Sequence, residues 1–313
     1  MINFLMTRLS RRFPLETQHR LEQAVLLAGS GRSGTTWVAE LLGYTYPFRL
    51  MFEPFFGQKV PLCSAFAPRT YLSPYHDEAR HLKPAHSILS GRVRHPWIDA
   101  HNQVWLASRR LIKDIRVNLL LPWLHQQFPS VPLILLLRHP FAVVQSRLKL
   151  GWHDHLDDLM GQPDLLALLS DGQIAMMQQA QTPFERHLLL WLVENTVPLN
   201  LLPTGSYFPV FYEELLREPE EGIQALCSFL EIDPPKVSIA SVAQKRSATD
   251  WLNDTSARLN QSRSWAKTLE DADRMRGLEL LDLWGWGGVY GDQPQPLIVA
   301  SDLPSVFLDS HKP

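Results

Sequence analysis

The stretch Ala24–Leu42, AVLLAGSGRSGTTWVAELL, constrains this chain more than any other. Its first five residues are uniformly apolar, as in a short strand buried on both faces. Gly29, Gly31 and Gly34 then allow a tight turn in which successive backbone N–H groups converge on one point. Trp37, Val38, Leu41 and Leu42 follow with a helical period, and a helix opening at Thr35 and Thr36 aims its positive end at that same point. A strand, a glycine loop and a helix in this order form a cradle for a phosphate. The nucleoside-triphosphate version of such a loop carries a lysine directly after its second spaced glycine, where it reaches the terminal phosphates. Gly29 and Gly34 have that spacing, but Thr35 stands in the lysine's place and the basic residue, Arg32, lies inside the loop. The loop therefore points to an anion while arguing against an ordinary NTPase.

The rest of the chain supplies the frame for such a loop. Arg110–Asp114 and Phe208–Tyr212 read as strands, and Val131–Leu137 (VPLILLL) is apolar enough for the centre of a parallel sheet. Helical patterns over Val117–Phe128, Phe141–Leu150, Phe184–Leu202, the segment after Pro219, and Asp271–Leu283 alternate with these strands. The expectation is an α/β fold with a central parallel sheet flanked by helices, its ligands held at the carboxyl ends of the strands. Residues 1–23 read as a leader, 24–291 as the working domain and 292–313, with four prolines, as a flexible tail. Residues 57–105 keep no clean period and read as an acceptor-binding insert. Within it Arg92, Arg94, His95, Trp97 and Trp105 would suit a sugar or an anionic acceptor.

A net charge of −2 speaks against a general nucleic-acid binder, and two cysteines, Cys63 and Cys227, fit a reducing, cytoplasmic setting. No apolar run approaches the roughly 20 residues of a membrane span. The twelve histidines show no metal-ligand spacing, so no metal is expected.

The loop motif R-S-G-T-T-W resembles that of sulfotransferases using 3′-phosphoadenosine 5′-phosphosulfate (PAPS), which leave 3′,5′-ADP as product. The resemblance extends to LRHPFAVVQSRL, where Arg138 and Ser146 are eight residues apart, the family's spacing for the donor's 3′-phosphate. It implies a P-loop-like sulfotransferase fold in which Gly31, Arg32, Ser33, Gly34, Thr35, Thr36 and Trp37 hold the 5′-phosphosulfate end. Tyr212, in VFYEELLREPEEGIQALCSFLEI, would lie near the adenine. Arg263, in QSRSWAKTL, is the candidate for a C-terminal contact to the 3′-phosphate, with Lys245 and Arg246 as alternatives.

For catalysis the resemblance offers Arg32, at the donor-loop position that is commonly lysine, and Lys113 at the end of RLIKD. An arginine stabilises charge but does not donate a proton. The cytosolic small-molecule enzymes carry a histidine two residues after that lysine; here the position is Ile115. The chain is closer to carbohydrate and bacterial sulfotransferases, several of which use a glutamate about twenty residues beyond the loop. Glu53, in MFEPFF and 21 residues after Arg32, fits as general base, with aromatic neighbours expected to raise its pKa. The acceptor would be a hydroxyl, less readily an amine, on a carbohydrate or other small metabolite. A nucleotide kinase or NTPase on the same architecture, and a nucleotide-binding module without chemistry, are the competing readings.

Overall fold

The computed structural model describes residues 14–234, 238–239, 260 and 263–308. Five strands, β1 (Ala24–Ala28), β2 (Arg49–Phe52), β3 (Arg110–Asp114), β4 (Leu133–Leu137) and β5 (Tyr207–Phe211), form one parallel sheet in the order β2-β3-β1-β4-β5. The strand that leads into the glycine loop is thus central. Successive side chains of a strand face opposite ways, and β1 accordingly feeds two cores. Ala24, Leu26 and Ala28 face one, Val25 and Leu27 the other.

Helices close both faces. On the Val25 side lie α1 (Thr35–Thr45), contributing Trp37, Val38 and Leu41, and the pair α6 (Tyr212–Arg217) and α7 (Pro219–Phe229) with Leu215, Ile223 and Leu226. On the Leu26 side lie α3 (Leu121–Gln127), α4 (Pro140–Lys149), α5 (Pro183–Leu201) and α8 (Asp271–Leu283). α5 is the backbone of that layer. It starts at a reciprocal cap between Thr182 and Glu185, which satisfies N–H groups that a helix start leaves open. No helix among the described residues is long and apolar enough to cross a membrane.

The structure corrects the expected boundaries. Tyr212 opens α6 rather than ending β5. The irregular 57–105 stretch contains the helix α2 (Ala79–Leu89), whose period is obscured by Pro84 and by its polar exposed face. The described part of the tail is not loose: Leu303 and Phe307 lie one helical turn apart in Leu303–Leu308, both are buried, and the Phe307 ring packs on Trp286 at 4.8 Å. Pro304 sits in the first turn of that helix, where a missing N–H costs nothing. The leader reading also stops short of residue 14. Leu15–Glu16 pairs in parallel with Leu106–Ala107, and Glu16 is sunk between Arg49 and Arg110 at the amino ends of β2 and β3. Residues 1–13 lie outside the described residues.

Candidate active site

The loop after β1 is shaped by close contacts. At Gly31 a Cβ would meet the Trp152 ring at 2.6 Å. Gly34 has φ +96°, and a Cβ there would collide with the Tyr212 ring. Between them Arg32 holds φ +80°, a left-handed conformation that is uncommon for a residue with a side chain. The Ser33 N–H donates back to the Ser30 carbonyl at 3.0 Å, closing the turn. No described side chain caps the start of α1, and its first turn carries no acid. Its N–H groups therefore face the cleft with the helix dipole behind them.

A buried ion cluster fixes the loop from below. Glu194 on α5 accepts from Ser30 Oγ at 2.7 Å, Arg147 at 3.1 Å and Arg69 at 2.6 Å. Arg147 in turn donates to the Gly31 carbonyl at 3.1 Å. Burial pushes the Glu194 carboxyl up, but Arg69 and Arg147 outweigh it and keep it below the ordinary glutamate value. Two arginines and one carboxylate removed from water rely on filled hydrogen bonds; the loop fills several of them and leaves Arg147 Nη1 without a partner.

Arg138, just past β4, donates to the Arg32 carbonyl at 2.9 Å and lies 4.7 Å over the Tyr212 ring. Ser146, on α4, accepts from Arg32 Nε at 3.0 Å. The two residues expected to share an anion thus flank the loop through Arg32. Two buried polar atoms here, Ser33 Oγ and Arg138 Nε, have no hydrogen-bond partner. Such atoms are costly unless something accepts or donates to them.

Glu53 follows β2 at φ +44°. Its carboxylate is clamped by Lys113 at 2.6 Å and by Arg116. Lys113 comes from the end of β3 beside it, since Phe52 is in register with Lys113. Aromatic rings surround the cations: Lys113 lies 4.4 Å from the Phe52 ring and Arg116 3.8 Å from that of Phe56. The expected rise in the Glu53 pKa is not what the structure gives. Burial alone would raise it, but Lys113 and then Arg116 outweigh burial and hold the carboxyl below its ordinary value. For Lys113 burial is the larger influence, and it falls below the ordinary lysine value despite Glu53. The acid whose pKa does rise is Asp114, pushed up to about 6 by burial and by Glu53. It accepts from the N–H groups of Phe55 at 3.0 Å and Arg116 at 2.9 Å.

These groups meet in one cleft of about 210 Å³. Arg32, Gly34, Thr35, Thr36 and Trp37 enter from the loop and α1; Lys113, Arg116 and Glu53 from β3 and β2; Arg138 and Tyr212 from β4 and α6. Of the expected donor contacts, Gly31, Ser33 and Ser146 stand behind or beside this lining. Arg263 does not line it: it is exposed, two residues before a short helix, Trp265–Thr268, that touches α4. Lys245 and Arg246 lie outside the described residues. Trp97 lines the cleft and donates to the Glu53 carbonyl at 3.3 Å. Trp105 is 61% exposed and away from it, and Arg94 turns to Glu16 at the other end of the sheet. Sequence reasoning missed Arg116, Trp152 and the Arg69–Glu194–Arg147 cluster. Arg116 alone left a trace, three residues beyond Lys113 at a strand end.

Residues 24–236, about two thirds of the chain, match the family model described as the sulfotransferase family. No curated protein matches the chain in sequence. Among solved structures, the sulfotransferase domain from the curacin biosynthetic pathway is 16% identical over 83% of this chain and 97% of its own, with a TM-score of 0.42. A sulfotransferase from Alicyclobacillus acidocaldarius is also 16% identical over 83% of this chain and 97% of its own, at a TM-score of 0.38. The mouse sulfotransferase SULT7A1, solved with PAP, is 16% identical over 90% of this chain and 89% of its own, at 0.39. The strand, loop and helix that open the matched region are the ones that build the cleft, and the chain belongs to the sulfotransferase family.

Proposed function

We propose that the protein transfers a sulfuryl group from PAPS to a hydroxyl on a carbohydrate or other small metabolite, leaving 3′,5′-ADP. The observation that supports this most is the meeting of four cations with one carboxylate at an uncapped helix start: Arg32, Lys113, Arg116 and Arg138 beside Glu53. The orphaned Ser33 hydroxyl and Arg138 Nε suit an anionic ligand that would fill them. PAPS supplies the activated sulfuryl group; the protein has to bind it, remove the acceptor proton and stabilise the leaving phosphate.

On this reading the loop N–H groups, Thr35 and Thr36 hold the 5′ end, while Arg138 and Ser146 hold the 3′-phosphate. Tyr212, packed edge-on against Trp37 at 5.5 Å and carrying Arg138 on its face, forms the nucleotide wall. Arg32 and Lys113 place positive charge where it grows on the leaving oxygen, an interaction that strengthens in the transition state. Arg32 cannot give up a proton, and Lys113, its ammonium destabilised by burial, is the available donor. Glu53 accepts the acceptor hydroxyl's proton. Its lowered pKa makes it a weaker base than an isolated buried glutamate but keeps it ionised at neutral pH, ready to accept.

Calorimetry with 3′,5′-ADP against ATP tests the donor assignment: binding of the first and not the second is expected. Transfer of radiolabelled sulfate from PAPS to a panel of sugars and small alcohols tests the reaction. Tight 3′,5′-ADP binding without transfer to any acceptor, including hydrolysis to water, would leave a binding module.

A further inference from the structure

Away from the cleft, the turn into α2 and the first turn of that helix gather three side chains that the sequence does not mark as a set. The ligand-capable atoms of His76, Glu78 and His81 all lie within 4.8 Å of one another. His76 Nε2 is 2.8 Å from His81 Nδ1 and 4.0 Å from Glu78 Oε1. The other Glu78 oxygen pairs with Arg80 at 2.5 Å, so Oε1 is the one turned to the histidines.

The second nitrogen of His81 fixes its tautomer. Nε2 lies 3.3 Å from the Ala65 carbonyl, which can only accept, so Nε2 carries a proton and in the neutral ring the Nδ1 lone pair faces the cluster. A backbone carbonyl behind one ring nitrogen, with the other presented as a lone pair, is how metal-binding histidines are oriented. The supports are rigid. The His76 N–H donates to the Ser73 carbonyl at 2.9 Å, and the His76 carbonyl accepts from the indole of fully buried Trp123 at 2.8 Å. His81 is buried against the Phe66 ring at 5.1 Å, whereas Glu78 is exposed, leaving space for water as a further ligand.

We propose that His76, Glu78 and His81 bind a divalent transition-metal ion of the zinc class, with water completing the coordination. Two imidazoles and one carboxylate suit zinc better than magnesium or calcium, which take oxygen ligands. On binding, His76 moves its ring proton from Nε2 to Nδ1 through solvent, and the metal occupies the space of the present hydrogen bond. The two nitrogens part from 2.8 Å to about 3.3 Å, the separation that Zn–N bonds near 2.0 Å impose in a tetrahedron. None of the three residues lines the donor cleft, so the metal takes no part in sulfuryl transfer. It braces the wall instead: Phe66 packs on His81 and, at 5.4 Å, on Phe55, two residues beyond Glu53.

The test uses the full chain freed of metal with a chelator. Zn²⁺ is titrated against a chromophoric competitor, and Co²⁺ is followed by its visible absorption. One equivalent of zinc is expected at micromolar affinity or tighter, with an upward melting shift of roughly 4 °C at a hundredfold excess over Kd. Glu78→Gln should weaken binding at least tenfold and His76→Gln should remove it, while both melt like wild type in chelator. Glu78 is exposed and its substitution spares the fold, so the outcome stays readable if His76→Gln misfolds. No binding at about 50 µM zinc, or variants binding as tightly as wild type, overturns the site.

Discussion

The two ends of the strand pair β2 and β3 each hold a cluster built on two cations and two acids, and they differ in what surrounds it. At the amino ends Arg49 and Arg110, register partners across the strands, share Glu16, and Arg49 also pairs with Asp99 at 2.8 Å. The carbonyls of Gly91, Val93, Leu89, Gln18 and Arg20 take further guanidinium hydrogens. Every one of these groups is saturated by protein. At the carboxyl ends Lys113, Arg116, Glu53 and Asp114 repeat the charge pattern, but Glu53 and its two cations line a cleft beside Arg32 and Arg138. The same ingredients therefore make a lock at one end and a reactive surface at the other. A parallel sheet explains the asymmetry, since its open crevice lies beyond the carboxyl ends.

Substitutions at the two ends should separate these roles. Glu53→Gln keeps the shape but cannot accept a proton, so turnover should fall about 10²–10⁴-fold while 3′,5′-ADP affinity holds. Near wild-type turnover would return Glu53 to a structural role. Glu16→Gln leaves Arg49 and Arg110 short of one buried negative charge and should cost about 3–5 kcal/mol in denaturant unfolding, with transfer per folded molecule unchanged. A stable Glu16→Gln protein would mean that the lower cluster contributes no stability. Arg138→Ala and Ser146→Ala should each weaken 3′,5′-ADP by about 1.5–3 kcal/mol, read by calorimetry, and leave 5′-AMP almost unaffected. Equal losses for both nucleotides would remove the 3′-phosphate assignment. Arg32→Lys should retain transfer, whereas Arg32→Ala should lose rate far more than product affinity. The smallest expected effect is in pH. Because the Glu53 pKa is lowered, the acid limb of the rate profile should lie below the ordinary glutamate value of about 4.3, with a flat region above it. An acid limb near pH 6 would instead report Asp114, the carboxyl that burial and Glu53 raise to about 6.

Much of the fold was legible because its signals are local. The Ala24–Ala28 strand and its glycine loop show in the period and in the turn residues, and Arg138 in its place at a strand end. The electrostatics of the site were not legible, since they depend on neighbours distant in sequence. Glu53 has aromatic residues beside it along the chain, which argues for a raised pKa, yet Lys113 and Arg116, brought alongside by strand pairing, reverse the sign. Glu194 shows no signal at all: it is one polar residue on a long helix, and its partners Ser30, Arg69 and Arg147 come from three other segments. The tail was misread because four prolines outweighed two apolar residues one turn apart.

The strand order also acts as a ruler. Arg138 follows β4, the loop follows β1, Lys113 is the last residue but one of β3 and Glu53 follows β2, and these four strands are consecutive neighbours in the sheet. Neighbouring strands keep a pitch of about 4.8 Å, so three intervals set roughly 14 Å between the two ends of the row. That span is fixed by backbone hydrogen bonds and cannot be altered by lengthening any connecting loop. Among the described residues β2 is an edge strand, whereas at the other end of the row β5 continues the sheet beyond β4. Beyond β2 the described residues add no further strand, and Trp97 from the 57–105 stretch bounds the cleft there, so that stretch can change what reaches the cleft without disturbing the measured part.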